Sequence, residues 1–243
     1  MSELVRFEKR GPIGVITVDN PPVNALSPGV PEGMAECVAK GNADPDVKAM
    51  VLIGQGGKFI AGADIKQMGK GNTTPTEWRE TVEMSEKPVV AALNGVAAGG
   101  GFQMALVSDQ RVAHPGTRMG QPEINAGIPS IMGSYWMSLH LDWSKNQELS
   151  MTGRLMDAEE AVTLGIVNHL VERDAVIETA CGIVSEFAKK PSVAWARTKA
   201  RFREIALAGF DEAFRAGVLG QQEAYSKGEP QAVIDAFLAK NAR

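Results

Sequence analysis

Apolar and polar positions along this 243-residue chain fall into short blocks, and the blocks change period as the chain advances. Residues 14–20, GVITVDN, alternate small and β-branched residues and run out into the turn-rich NPPVNALS, which predicts a strand and its exit. Helical spacing follows over residues 30–42, weakened at its start by Gly29, Pro31 and Gly33. Residues 47–56, VKAMVLIGQG, form a continuous apolar run closed by glycines, the pattern of a strand covered on both faces. FIAGADIKQM then passes from extended chain to a helix start, with Asp64 placed to cap it. GKGNTTP, residues 69–75, reads as a loop, and a helix leads from it to a strand at KPVVAAL.

Further on, residues 89–109, VVAALNGVAAGGGFQMALVSD, read as a buried strand, a glycine-rich turn and a helix start. QRVAHPGTRMGQPEINAGIPS supplies two short strands and a turn. A short helix over residues 158–164 and a terminal strand follow. From Asp174 the pattern is helical only. Alternation first and helices afterwards predict an α/β core over residues 1–173 with a helical C-terminal region over 174–243. In that tail Phe202, Ile205, Phe210, Phe214 and Leu219 recur at roughly helical spacing, a stripe expected to pack onto the same chain.

Composition narrows the function classes. Hydrophobic content of 44% and charged content of 22% allow a core of useful size. A net charge of −4, with no basic run longer than a Lys-Lys pair, gives nucleic-acid binding no electrostatic support. The N-terminus is charged throughout and lacks the apolar core of a signal peptide, and no segment approaches the ~18 apolar residues of a membrane span, so a soluble cytoplasmic protein is expected. Cys37 and Cys181 suit no zinc or redox spacing and read as buried free thiols. His114, His140 and His169 are scattered, so neither a metal site nor a histidine-based triad is expected.

Two glycine-containing strand-to-helix turns remain, AGADI at 61–65 and AAGGGF at 97–102. Glycine admits a ligand close to the backbone because no Cβ stands in the way. If the turns lie side by side, one N–H from each binds a single oxygen, an oxyanion hole worth roughly 3–4 kcal/mol per donor once that oxygen is charged. Either turn alone is more often just a tight turn. GGGF is neither the dinucleotide fingerprint nor a P-loop. Asp64 is better explained as a helix cap than as a catalytic acid, and the carboxylates of DAEEA at 157–161 as helix-start stabilisation. The methionines at 84, 104, 119, 132 and 137 read as adaptable core or pocket lining.

In their order, FIAGADIKQM, KPVVAALNGVAAGGGFQMAL, MGQPEINAGIPS and TGRLMDAEEAVTLGIVNHLV strongly resemble the crotonase (enoyl-CoA hydratase/isomerase) superfamily. The match runs from about Val5 to Val171 and resumes weakly at the closing AFLAKNAR. The resemblance implies an α/β fold with a repeated ββα spiral core and a helical C-terminal region whose apolar stripe also builds the subunit interface, assembled as a homotrimer or a dimer of trimers. It implies acyl-CoA thioester substrates with no separate cofactor, CoA being part of the substrate, and no nucleic-acid or membrane partner. By position, Ala63 and Gly100 correspond to the two N–H donors on the thioester oxygen. Backbone around Val23, Ala25, Ala61 and Ile65 corresponds to the groups that hold the adenine and pantetheine of CoA.

Hydratases of the family commonly use two glutamates. One of those positions holds Glu123, in GQPE; the other, after the glycine triplet, holds Gln103. Glu123 can accept and return a proton, whereas Gln103 can orient water but cannot exchange a proton at neutral pH. By composition alone Glu123 would be a solvated loop carboxylate, and only the resemblance raises it to acid/base. One carboxylate suffices to move a proton from C2 to C4 of a 3-enoyl thioester, and it can serve hydration at a rate reduced by ~10²–10⁴-fold. Tyr135 and Trp136 stand where relatives often carry a glycine-rich turn; narrowing of the acyl pocket and simple packing both fit them. The leading expectation is an enoyl-CoA hydratase/isomerase. A dedicated Δ3-Δ2 enoyl-CoA isomerase, a decarboxylase or other chemistry on the same enolate, and a non-catalytic acyl-CoA-binding protein are the alternatives.

Overall fold

The computed structural model describes residues 3–64 and 85–241. Ile65, Met84, the loop at 69–75 and the helices expected on either side of that loop lie outside the described residues. The chain opens with an antiparallel hairpin, β1 (Val5–Arg10) and β2 (Ile13–Val18), in which Val5 faces Val18 and Arg10 faces Ile13. The sequence pattern had shown only the second of these strands. β1 is the sheet's edge, so Arg6, Glu8, Lys9 and Arg10 stay exposed while Val5 alone is fully buried. An edge strand with one covered face needs few apolar residues.

α1 (Val30–Ala43) forms in spite of the glycines and proline at its start. The Glu32 carboxylate accepts the Gly29 N–H at 2.8 Å, and Pro31 falls in the first turn, where a missing N–H breaks no helical bond. β3 (Ala49–Gly54) then pairs parallel to β2, and β4 (Val89–Leu93) parallel to β3. Next come β5 (Ala97–Ala98), α2 (Gly100–Val107), β6 (Gln110–Ala113) and β7 (Arg118–Gly120). α3 (Ile131–Ser138) and α4 (Trp143–Thr152) lead to β8 (Met156–Asp157), α5 (Ala158–Thr163) and β9 (His169–Leu170).

These strands form two sheets, one of six in the order β1-β2-β3-β4-β6-β9 and one of three in the order β5-β7-β8. Each inner strand of the large sheet is followed by a segment of a second layer: β4 by β5, β6 by β7, and β3 by the single bridge Ile60↔Ala97. Leu26, after β2, bridges Ala63 in the same way. The repeated ββα spiral is therefore present. It explains the unbroken apolar runs: Ile16, Met50, Leu52 and Ala91 face one core with α1, the second layer and α2, while Val15, Val51, Val90 and Val112 face another. That other face is covered by Val176, Ala180 and Val184 of α6 (Val176–Ala188).

After β9 the chain is helical, ending in α7 (Ser192–Ser226) and α8 (Glu229–Asn241). The expected tail stripe divides. Phe210 is fully buried and Phe214 packs against the core, but Phe202, Ile205 and Leu219 are 70%, 52% and 66% exposed. A straight helix of 35 residues presents one face to the core, here carried by Phe210, Ala213 and Gly217, and the other three side chains fall outside it. Among the described residues no helix is long and apolar enough to cross a membrane.

Candidate active site

The two glycine turns lie against one another. A Cβ on Gly62 (φ 87) would stand 2.6 Å from the Ala98 carbonyl oxygen, and one on Gly99 would stand 3.9 Å from the Gly62 Cα. Gly99 also has φ 54 and ψ −128, a conformation open to glycine alone, and its N–H donates to the Gly120 carbonyl at 2.9 Å. Gly100 is the first residue of α2, so its N–H has no acceptor within the helix. Ala63 sits in the bridge to Leu26, where Leu26 N–H donates to Gly62 O at 2.8 Å and leaves the Ala63 N–H directed away from that partner. Among the described residues neither N–H donates to a protein acceptor. Ala63 is exposed and Gly100 partly open, so both donors face accessible space.

The NPPVNALS loop is fastened beside them. Buried Asn24 (φ 55) donates through Nδ2 to the carbonyls of Gln55 at 3.0 Å and Lys58 at 2.8 Å, and its Oδ1 accepts the Asn20 N–H at 3.0 Å. Ala61 N–H donates to Val23 O at 3.3 Å. Val23, Ala25 and Ala61 thus lie on adjoining strands of backbone next to Ala63. Asp64 accepts a hydrogen bond from Ser27 Oγ at 2.9 Å, while the residues it was expected to cap lie outside those described.

Glu123 begins a 3₁₀ turn (Glu123–Ala126) closed by Gly127 in the left-handed region. The turn is braced from two sides: Asn125 Nδ2 donates to Gly153 O at 2.9 Å at the end of α4, and Gly127 packs against the Glu229 backbone at the start of α8. It carries the carboxyl onto the glycine turn, where a Cβ on Gly99 would stand 2.8 Å from Glu123 Oε1. The residue retains some solvent-accessible surface, but the carboxyl is surrounded by protein, and that governs its charge. Burial pushes its pKa up from 4.5 to about 7, and a hydrogen bond from its own backbone N–H opposes that rise. A carboxyl so placed is divided between its two protonation states near neutral pH.

Gln103 is buried in the first turn of α2, and its Nε2 donates to Gln121 Oε1 at 3.3 Å. Gln121, fully buried, is the residue that the sequence pattern did not single out. Its amide also touches Glu123: turned with nitrogen outward, it donates to Oε1 at 2.8 Å and Oε2 at 3.0 Å. The only sequence signal was its place two residues before Glu123 in GQPE. Its contact with Gln103 spans 18 residues and comes from the tertiary fold.

Tyr135 and Trp136 sit in α3, facing α7. The Tyr135 hydroxyl donates to the Ala206 carbonyl, and the two rings lie 6.0 and 5.0 Å from that of Phe210. Trp136 also lines a cavity of about 650 Å³ between α2 and α7, bordered by Leu106, Asp109, His140, Lys199 and Phe202. This cavity adjoins the C-terminal end of α2, the opposite end from Gly100. Among the described residues no group of three His, Cys, Asp or Glu side chains could hold a metal ion.

Comparisons with known proteins give the family. A family model described as enoyl-CoA hydratase/isomerase matches residues 8–241. The short-chain-enoyl-CoA hydratase of Clostridium acetobutylicum is 32% identical over 251 aligned positions, which cover 97% of this chain and 95% of that protein. The peroxisomal bifunctional enzyme of Danio rerio is 38% identical over 192 positions, covering 77% of this chain but only 26% of the zebrafish protein. The crystal structure of carnitinyl-CoA hydratase from Mycobacterium avium superimposes with a TM-score of 0.89 at 27% identity, over 99% of this chain and 97% of that one.

Proposed function

The chain belongs to the enoyl-CoA hydratase/isomerase family, and on that premise we propose that it adds water to a 2-enoyl-CoA thioester with Glu123 as its sole acid/base. One observation carries the reading: the Glu123 carboxyl, poised near neutrality, lies against the glycine turn beside the N–H groups of Ala63 and Gly100, neither of which donates to a protein acceptor among the described residues. The thioester oxygen seats between the N–H groups of Ala63 and Gly100. Polarisation of that carbonyl draws electron density from the double bond and makes C3 electrophilic. Glu123 takes a proton from water as the hydroxide adds to C3, and the negative charge passes to the thioester oxygen. The two N–H groups and the N-terminus of α2 hold that charge. Glu123 then gives its proton to C2, and the product is the 3-hydroxyacyl thioester. The adenine and pantetheine of CoA lie along the backbone of Val23, Ala25 and Ala61. Names of relatives such as the short-chain-enoyl-CoA hydratase support the hydration step.

A second reading rests on Gln103. An amide at that position leaves one carboxyl, and one carboxyl is enough to remove a proton from C2 of a 3-enoyl thioester and return it at C4 through the same enolate. A paired assay on a 2-enoyl-CoA and a 3-enoyl-CoA of equal chain length separates the two. Hydration consumes the conjugated 2-enoyl absorbance. Conversion of the 3-enoyl substrate without that loss makes the protein an isomerase, and binding of both with turnover of neither removes the proposed activity.

A further inference from the structure

We infer that Gln121 is a positioning residue for the acid/base carboxyl: together with Gln103 it forms a chain of two amides that turns either its N–H or its C=O toward Glu123, and so holds that side chain over the glycine turn in both of its protonation states. The inference rests on Glu123 being the acid/base of the reaction proposed above.

A group that takes up and gives back a proton changes its hydrogen-bonding character twice in each turnover. Ionised, it only accepts; protonated, it also donates. A fixed cation or backbone N–H would suit the first form and lose its partner in the second. A primary amide carries both functions, and a half-turn exchanges oxygen for nitrogen with almost no change of shape. Each orientation of Gln121 suits one form of the carboxyl: nitrogen inward meets the carboxylate, and oxygen inward requires the carboxyl's proton between the two oxygens. With nitrogen toward the carboxyl, it donates to Glu123 Oε1 at 2.8 Å and Oε2 at 3.0 Å. Its second hydrogen then faces Gln103, 3.3 Å away, whose own amide must turn its oxygen inward. With oxygen toward the carboxyl, Gln121 accepts the Glu123 O–H and, at 3.3 Å, the Gln103 Nε2–H. The two amides turn together.

The surroundings fit this role. Gln121 is fully buried, and a Cβ on Gly133 would stand 2.4 Å from its Oε1, so α3 supplies the room for the amide by presenting a glycine. A glutamate at position 103 would only accept when ionised, and it would hold Gln121 in one orientation. Among the described residues no charged side chain is seen to bond the carboxyl. The elements packed on the Glu123 turn are α4 and α8. Lys145 and Glu148 of α4 pair with one another, Asp235 of α8 accepts from Gln231, and Glu229 meets the turn through its backbone. Among the described residues none of them bonds Glu123.

The test is a difference-infrared titration of the full chain, following the carboxyl C=O stretch of Glu123, identified as the band lost in Glu123→Gln. A merely structural glutamine would leave its midpoint in place. Gln121→Met removes the donor to the carboxylate, the stronger of the two bonds, so the midpoint should rise by about one pH unit, a tenfold gain in proton affinity. kcat should fall by about tenfold with KM little changed, since orientation rather than substrate contact is lost. Gln103→Met keeps Gln121 but removes its outer partner, and should move the midpoint the same way by less. It decides the matter if Gln121→Met does not fold. An unmoved midpoint in the folded variants overturns the inference. A shifted midpoint in a protein that turns over no enoyl-CoA leaves the amide chain standing and removes the proposed function instead.

Discussion

The two ends of α2 are built to opposite specifications. At its C-terminal end the carbonyls of Met104, Ala105 and Leu106 all accept side-chain hydrogen bonds. Buried Arg111 donates to the carbonyls of Ala105 at 3.2 Å, Leu106 at 3.5 Å and Ser108 at 2.8 Å, and its Nε reaches Ile166. His140 Nε2 adds a contact to Leu106 O at 3.1 Å. Burial lowers the Arg111 pKa to about 10, against the pull of Asp109, so the guanidinium stays charged at the negative end of the helix dipole. The same end is anchored to α7 by Lys199, whose Nζ lies 2.7 Å from Asp109 Oδ2 and 2.8 Å from Lys87 O. At the N-terminal end three glycines replace any side-chain cap, and the carboxyl laid against them is held near neutrality. Satisfied groups fix a helix; unsatisfied ones are left for a ligand. One eight-residue helix does both because side chains fasten one end and glycines leave the other open.

The contrast breaks most sharply at Glu123. Glu123→Gln should lower kcat by about 10²–10⁴-fold while leaving the fold intact, measured by steady-state turnover beside thermal unfolding. Unchanged turnover would remove the carboxyl from the mechanism. Gly99→Ala places a Cβ 2.8 Å from Glu123 Oε1 at a positive φ, and should reduce kcat by about 10²-fold as the carboxyl and the Gly100 N–H separate. At the opposite end Arg111→Met should do the reverse. It leaves buried carbonyls without donors and should cost about 3 kcal/mol in urea unfolding, with kcat per folded molecule retained. A kcat loss at Arg111 equal to that at Gly99 would show the two ends are not separable.

The pH dependence of stability is an effect of similar size. The Glu123 carboxyl binds its proton more tightly in the folded protein, at about 7, than at the ordinary 4.5. The stabilisation from that proton is complete below about pH 4 and is lost as pH rises through 7. Comparing the wild type with Glu123→Gln, the wild type should lose on the order of 3 kcal/mol of relative stability between about pH 4 and pH 8. Parallel curves for the two proteins would show the carboxyl to be solvated.

Much of this was legible along the chain. The strands at GVITVDN, VKAMVLIGQG and KPVVAAL carried their burial in their own composition, because a strand covered on both faces has no polar residue to spare. The turns AGADI and AAGGGF announced close backbone approach through glycine. β1 was missed because an edge strand keeps its charges. The tail stripe divides for a related reason: spacing shows that residues share a helix but not which face meets the core, and Phe202, Ile205 and Leu219 lie outside it.

The sequence by itself therefore determined the order of strands, turns and helices, the glycines that let backbones meet, and an amide rather than an acid at position 103. These are local properties, set by period, sterics and the chemistry of single side chains. Only the tertiary structure decided that Gly62 and Gly99 touch, that the Glu123 carboxyl is enclosed rather than solvated, and that Gln121 joins it to Gln103. Each of those depends on residues distant in the chain. A pKa and a hydrogen-bond network are properties of the surroundings, and the surroundings exist only once the chain has folded.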